Sequence, residues 1–460
     1  MDRSQAIEKL ISAGELPTPI AIKTLLDRDL SSQITNIVEK PKEILKEGNV
    51  EVLYAIEFPP KKYEVKDFVN YFRNRYSFFK EILSNRPELL AATSISRLMP
   101  GEKATIIAII HEIKKLPTGT LKLKLEDLSG QTDAIISTKS KETFEKAKFI
   151  TPDAILGFKG SAGKNIFFID DIVWPDIPYK KINKTPDEVY AACIPDTHVG
   201  SKLYLAKEFS RFVKWLRGEY GTARQREIGK KTKYIIICGD IVDGVGVYPT
   251  QEKELAIKDI YKQYEAAAEA LSQIPSDRFI IISPGNHDAL RKCEPQPPLY
   301  KDIATALYNL PNVVMVTNPC YVRLHKSENC SGVEFLVYHG DSFDFFIDGV
   351  ESLRLAGGYN AADKVWEFLL KQRHLAPTYS STLALPLDQD PLLIRHIPDV
   401  AMSGHVHKSK IGRYKGVLTI SGSCWQATTS FQQKMGHNPD PGRVPLINMK
   451  TGTAKIFRFR

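Results

Sequence analysis

The sequence predicts an α/β protein of more than one domain, in which a helical N-terminal region and a small β-barrel precede a larger α/β unit. Three observations carry this. Between residues 97 and 174 the apolar residues recur with the period of strands, interrupted by one helical pattern. From about Glu188 onward, strands and helices alternate. The 460 residues leave room for two or three sizeable cores, and 43% hydrophobic with 25% charged residues is the balance of an ordinary soluble chain.

Residues 1–95 form the first expected unit. Helical patterns at 6–11 and 20–26 are punctuated by Pro17 and Pro19. Residues 31–95 are mixed and contain the aromatic-basic stretch 68–79, Phe-Val-Asn-Tyr-Phe-Arg-Asn-Arg-Tyr-Ser-Phe-Phe. Aromatics interleaved with arginine can stack bases. An amphipathic helix packed on its neighbour is the favoured reading of that stretch.

Residues 97–174 form the second unit. Strands are expected at 103–113, 120–126 and 131–137, a helix at 141–149, and strands at 154–159 and 165–173. Three strands, a helix and two strands follow the order of an OB-fold barrel. Such barrels bind single strands or dock proteins, and the sequence leaves both roles open. The stretch 174–186 is polar and punctuated by proline, and residues 175–187 are the expected linker.

Residues 188–460 form the third unit, with strands expected at 189–194, 234–238, 278–283 and 333–338 and helices at 203–218 and 252–273. The run Tyr234-Ile-Ile-Ile-Cys238 is apolar throughout, as in a strand buried on both faces. It ends in Gly239 and Asp240, and the carboxyl end of a buried strand is where open α/β sheets place their ligands.

The formal charge is +9, from 63 basic and 54 acidic residues, which suits a polyanionic partner without identifying one. The start, Met1-Asp-Arg-Ser-Gln, has no apolar core, and no run approaches ~18 apolar residues. A soluble, cytoplasmic protein without a membrane contact is expected. None of the six cysteines forms a Cys-x-x-Cys pair, which argues against a zinc ribbon or a redox dithiol. Cys320 and Cys330 flank a candidate hairpin, but a reducing compartment favours free thiols.

Chemistry concentrates at five places. Asp196-Thr-His198 follows the first strand of the third unit, Gly239-Asp240-Ile-Val-Asp243 the second, and Gly285-Asn286-His287-Asp288 the third. His339-Gly340 and Gly404-His405-Val-His407 complete the series, which takes in five of the ten histidines. One Asp-x-His or His-x-His is a weak signal, but five sites in this order are hard to assign to structure alone. Carboxylate and amide oxygens suit hard divalent cations, and imidazole widens the choice to manganese, iron and zinc. Two metals about 3.5–4 Å apart need a bridging ligand, which a carboxylate provides. A histidine titrating near neutrality suits protonation of a leaving alkoxide.

These residues resemble the calcineurin-like metallophosphoesterases, whose pattern is D-x-H, GD-x-x-D, GNH-D/E, H and G-H-x-H. The resemblance implies a two-sheet α/β sandwich and a pair of divalent ions, with Mn2+ expected and Mg2+, Fe2+ or Zn2+ as alternatives. Asp196, His198 and His407 would hold one ion, Asn286, His339 and His405 the other, and Asp240 both. His287 would lie beside the scissile phosphate as transition-state stabiliser or general acid, and Asp243 and Asp288 would orient ligands or His287.

A barrel followed by this unit resembles, more narrowly, the small subunits of archaeal family D DNA polymerases. The wording extends through Pro195-Asp-Thr-His-Val-Gly-Ser201, residues 239–249, Pro284-Gly-Asn-His-Asp288, His374-Leu-Ala-Pro377, Gly404-His-Val-His407 and Gly422-Ser-Cys-Trp425. It ends in Lys434-Met and Asn438-Pro-Asp-Pro-Gly-Arg-Val-Pro445. That family implies a 3′→5′ exonuclease acting on single-stranded or mismatched DNA 3′ ends, partnered by a large catalytic subunit in a heterodimer or larger assembly. Through that complex, a sliding clamp and a nucleoid location are further expectations. Lys408, Lys410, Arg413 and Lys415 are candidate contacts to the DNA backbone, or a solvated basic turn. A docking subunit and a stand-alone phosphoesterase are the alternatives. The complete ligand pattern speaks against the first, the barrel and residues 422–445 against the second.

Overall fold

In Tyr234–Cys238 successive side chains point to opposite faces, and both faces are dry. Ile235 and Ile237 enter one apolar cluster with helices, while Tyr234, Ile236 and Cys238 enter another between two sheets. This double burial is what a continuous apolar strand requires, and the rest of the third unit is layered around it. The computed structural model describes Gln5 and residues 49–54, 61–434 and 436–460. The helical patterns at 6–11 and 20–26 lie outside the described residues.

In chain order, β1 (Val50–Tyr54) and α1 (Val65–Ser84) precede a closed five-stranded barrel. The barrel comprises β2 (Lys103–Lys115), β3 (Leu121–Asp127), β4 (Gly130–Ile136), α2 (Lys141–Ala147), β5 (Ile155–Gly163) and β6 (Ile166–Val173), arranged β2-β3-β4-β6-β5. Each expected element of this region is present, within a few residues at its ends. Alternating residues such as Ile106, Ala108, Ile110, Leu123, Leu125 and Phe158 fill its interior. The register shifts between Ile110 and Glu112, and such a bulge helps a long strand bend around a barrel.

The larger unit contains β7 (Tyr190–Cys193), α3 (Ala206–Leu216), α4 (Ala223–Lys231), β8 (Thr232–Cys238), α5 (Ile260–Ser272), β9 (Phe279–Ser283), α6 (Thr305–Tyr308) and β10 (Val313–Met315). It continues with β11 (Cys320–Leu324), β12 (Val333–Val337), α7 (Phe343–Gly349), α8 (Glu351–Leu355), α9 (Ala362–Gln372) and β13 (Val400–Ser403). The last elements are β14 (Lys410–Tyr414), β15 (Val417–Ser421), α10 (Ser430–Lys434), β16 (Arg443–Asn448) and β17 (Thr453–Arg458). Two six-stranded sheets result, β10-β9-β8-β7-β16-β17 and β1-β11-β12-β13-β15-β14. Their inner faces share one core, with Ile236 and Ile281 from the first sheet and Phe335, Val337 and Met402 from the second. Phe212 and Trp215 of α3 and Tyr264 of α5 cover the outer face of the first sheet. Trp366 and Leu369 of α9 cover that of the second.

Two expectations change. The helix expected from residue 252 begins at Ile260, because the Asp259 carboxylate caps it by accepting from the Tyr261 and Lys262 amides at 2.9 and 3.2 Å. The N-terminal region is not helical throughout, since β1 adds antiparallel to the edge of the second sheet beside β11. The proline-punctuated stretch after the barrel packs on the larger unit, with Trp174 and Ile177 buried and the Lys180 amide donating to the Lys415 carbonyl at 2.9 Å.

Residues 68–79 lie on α1, as the helical reading holds. Tyr76 and Phe79 pack with Ile107 and Ile155 of the barrel and Leu393 of the larger unit. Arg75 is buried, its Nε donating to Asp390 Oδ2 at 2.6 Å. That commitment removes Arg75 from any base-stacking role. All six cysteines are free, Cys320 and Cys330 included. Among the described residues no helix is long and apolar enough to cross a membrane.

Candidate metal centre

The five sequence sites converge. Asp196, Asp240 and Asn286 follow β7, β8 and β9 of the first sheet, and His339 and His405 follow β12 and β13 of the second. These strands run parallel within each sheet, so their carboxyl ends lie together. The chain turns sharply there. Asp196, His198, Asp240, His405 and His407 have φ of 56°, 48°, 53°, 66° and 54°, a left-handed conformation that side chains other than glycine rarely adopt.

Glycine is required where these turns touch. Gly239 has φ of 92°, and a Cβ there would lie 2.3 Å from His339 Nδ1. A Cβ on Gly404 would lie 2.4 Å from Asp196 Oδ2.

On one side, Asp196 Oδ1 lies 3.3 Å from His407 Nε2, which lies 3.1 Å from His198 Nε2. On the other, Asn286 Oδ1 lies 2.9 Å from His339 Nε2 and 3.2 Å from His405 Nδ1. Asp240 Oδ2 lies between, 3.8 Å from His198 Nε2 and 3.5 Å from His339 Nε2. Asp196, His198, Asp240, His339 and His407 are all buried.

Hydrogen bonds identify the free lone pairs. His339 Nδ1 donates to the Cys238 carbonyl at 2.6 Å, so its Nε2 lone pair faces Asn286 and Asp240. His405 Nε2 donates to Asp344 Oδ2 at 3.0 Å, so its Nδ1 lone pair faces Asn286. In the neutral rings these lone pairs meet the Asn286 oxygen acceptor to acceptor, an arrangement that either a bound cation or a second ring proton relieves. Asp341 Oδ1 is buried without a hydrogen-bond partner, 3.8 Å from both His339 Nε2 and His405 Nδ1. His198 Nδ1 is 3.1 Å from Asp243 Oδ1 but is not aligned with it as a hydrogen bond. The donors Asp196, His198 and His407 cluster as a metal site would, and so do Asp196, Asp240 and His339. The mixed nitrogen and oxygen set fits divalent transition metals.

Electrostatics follow from burial and pairing. Burial works to raise the Asp240 carboxyl, but the His339 and His287 rings hold it well below the usual range. Burial works to lower His339, and Asp240 raises it well above an ordinary imidazole. His287 goes the other way, because burial outweighs the attraction of Asp240.

His287 lies at the side of the centre, where with His198 and Asp243 it forms a further group that could hold a metal. Its ring meets His198 edge-on with centroids 4.7 Å apart. The backbone amide donates to Asp240 Oδ1 and Nδ1 donates to the Asp243 carbonyl, both at 2.8 Å, which leaves Nε2 available. The Asp243 carboxylate accepts from Gln426 Nε2 at 2.8 Å. The Asp288 carboxylate accepts from the Gly285 amide at 2.9 Å and the Ile241 amide at 3.4 Å, tying two loops together.

The basic residues after His407 divide. Lys408 is buried and Lys410 half-buried. Arg413 is exposed, and its guanidinium donates to the Gly416 and Gly452 carbonyls at 2.8 and 2.7 Å. Lys415 pairs with Asp176 at 2.6 Å.

Sequence reasoning missed Asp341, Asp344, Gln426 and Gln432, whose Nε2 reaches His407 Nδ1 at 3.0 Å. The two aspartates carried a local signal, because they follow His339-Gly340 in Asp341-Ser-Phe-Asp344. The glutamines carried none, being brought in by a segment far along the chain.

Fold and centre together define a two-sheet α/β protein with a buried set of groups that could hold metal ions where its sheets meet. The DNA polymerase alpha/epsilon B-subunit family matches residues 197–411. The DNA polymerase II small subunit of Methanothermobacter thermautotrophicus is 36% identical over 86% of this chain and 80% of that protein. The Archaeoglobus fulgidus small subunit is 38% identical over 83% of this chain and 75% of its own. For the Pyrococcus furiosus protein the identity is 35% over 94% and 68%. The chain belongs to this family of archaeal DNA polymerase II small subunits, the family D small subunits. Among solved structures, an archaeal phosphodiesterase matches at 13% identity and a TM-score of 0.28 over 58% of this chain and 99% of that one, too little to define a shared fold.

Proposed function

We propose that the chain is the proofreading subunit of a heteromeric replicative DNA polymerase, and that its centre is a dinuclear-metal 3′→5′ exonuclease. The observation that carries this is the position of Asp240 Oδ2, within 3.8 Å of both His198 Nε2 and His339 Nε2. A carboxylate so placed would serve two cations at once. Asp196, His198 and His407 would hold one and Asn286, His339 and His405 the other, and the Asp341 oxygen adds a donor near the second.

When bound, a pair of divalent ions polarises a phosphoryl oxygen and acidifies water at neutral pH. Protein groups do the remainder. The Nδ1–H of His287 is fixed on the Asp243 carbonyl, so Nε2 is aimed outward. A phosphodiester adds negative charge beside this ring, which favours its protonated form. His287 then donates that proton to the 3′-oxygen that leaves as the P–O3′ bond breaks and water supplies the new oxygen on phosphorus. A 5′-mononucleotide and a shortened strand are the products.

Within this reading the barrel is an OB-fold and the larger unit a calcineurin-like phosphoesterase, with residues 97–174 and 188–460 as their extents. The family implies a large catalytic subunit as partner, and the barrel with its junction is the surface assigned to it. Lys408, Lys410 and Arg413 stay candidates for contact with the DNA backbone. Digestion of 5′-labelled single strands and mismatched primer ends with Mn2+ tests the proposal. The parent shortens them from the 3′ end, and His287→Ala slows the reaction about 100-fold or more while thermal unfolding is unchanged. Equal rates for parent and variant would refute the role given to His287.

A further inference from the structure

Two segments from distant parts of the chain meet beside His287, and neither supplies one of the groups assigned to a cation. Residues 244–254 follow Asp243, and α10 lies near the C-terminal end of the chain. Their aromatic rings, Tyr248 and Phe431, stack on each other with centroids 5.1 Å apart and planes at 22°. Tyr248 in turn lies 6.3 Å from the His287 ring. The three rings form a row leading outward from the group placed at the scissile phosphate.

The row is built rather than incidental. The Tyr248 hydroxyl donates to Glu254 Oε2 at 2.8 Å, and Ser430 Oγ bonds the other oxygen of the same carboxylate. One side chain therefore fixes both loops. Each loop is also tied to the centre, Gln251 donating to the Asp243 carbonyl at 2.7 Å and Gln432 reaching His407. Phe431 is 41% exposed, so part of its ring stays open to a partner on the side away from Tyr248.

The same loop walls a cleft of about 480 Å³ beside Asn286 and His287. Val245, Val247, Ile260 and Leu290 give it an apolar lining, and Lys292 stands at its edge. A space of this size, with apolar and polar walls in about equal measure and bordered by His287, suits one nucleoside, whose base and sugar offer both kinds of surface.

We propose that this cleft and the Tyr248–Phe431 pair are the site that seats the 3′ end of a single strand. The cleft takes the terminal nucleoside and the stacked rings hold the base preceding it. The inference rests on the exonuclease reading and deepens it by naming what positions the substrate. Recognition through ring faces is indifferent to sequence, because every base presents a π-face. It also favours an unpaired end, since a base within a duplex is already stacked and paired. Selection of frayed or mismatched primer ends would then come from this surface.

Binding and digestion are measured on the same full-length proteins, with 5′-fluorescein-labelled 12-mers of thymidine ending either in natural nucleotides or in two abasic tetrahydrofuran residues. Anisotropy titration without metal should show the parent binding the natural end roughly 10-fold more tightly, the size expected of one stacked base. Phe431→Ala and Tyr248→Ala should bring that ratio close to one, and Phe431→Trp should retain it. In Mn2+ the same substitutions should raise KM for the natural end with little change in kcat. An undiminished ratio in both alanine variants overturns the inference, as does equal binding of the two ends by the parent. Loss of all digestion by the parent would instead overturn the exonuclease reading, and the titration would still decide the seating site.

Discussion

His374 is buried in a setting that fits only its neutral form. Its Nε2–H donates to Asp390 Oδ2 at 2.8 Å, and its Nδ1 lone pair accepts from the Ala376 amide at 2.8 Å. A second proton would set one donor against another. Burial first, and then the neighbouring Arg75 guanidinium, lower this imidazole to about 4. In the unfolded chain it titrates near 6.5. The unfolded state therefore takes the proton first as pH falls. Stability from this site is fully present above about pH 6.5 and is lost between about pH 6.5 and 4, amounting to about 3 kcal/mol at the end of that window. Asp390 does not confuse the reading, because Arg75 and His374 hold its carboxyl well below the usual range and its effect falls below about pH 4. Urea unfolding of the parent at half-unit intervals between pH 4 and 7 measures the loss. His374→Gln keeps a donor and an acceptor without a titrating ring, so its stability should fall less steeply by that amount. Identical pH slopes for the two proteins would refute the reasoning.

Two further substitutions probe other supports. Arg75→Ala strands the Asp390 carboxylate, whose side chain is 0% exposed, without its cation, and a broken buried pair costs about 3–5 kcal/mol. A urea midpoint at pH 7 should show the loss. Gly239→Ala drives a Cβ to 2.3 Å from His339 Nδ1 at a φ of 92°. It should cost about 1–3 kcal/mol of stability, and Mn2+ affinity read by calorimetry should drop with it.

The site was legible because its residues are local in sequence. Asp196, Asp240, Asn286, His339 and His405 each follow a short apolar run, and the register of parallel strands brings those ends together. The barrel was legible for a similar reason, its period-two pattern being filled from one side only. What escaped depends on long-range contacts. Residues 438–445 carried family wording without a visible purpose. In the fold, Asp440 Oδ1 accepts from the Ser409 amide at 3.0 Å and the Asp440 amide donates to the His407 carbonyl at 3.2 Å, so this segment braces the His405–His407 turn. His374-Leu-Ala-Pro377 was equally opaque until Asp390 and Arg75 stood beside it. The strand β1 gave too short a pattern to declare the sheet edge it joins.

The proposed chemistry turns on the shared carboxylate, and Asp240→Asn tests it most directly. The amide keeps the side chain's size but removes the charge that would hold two cations. Mn2+-dependent shortening of a 5′-labelled single strand is compared for parent and variant. The parent should digest the strand 3′→5′, and the variant should do so at a rate at least about 100-fold lower. Digestion by Asp240→Asn at the parental rate would contradict the bridging role.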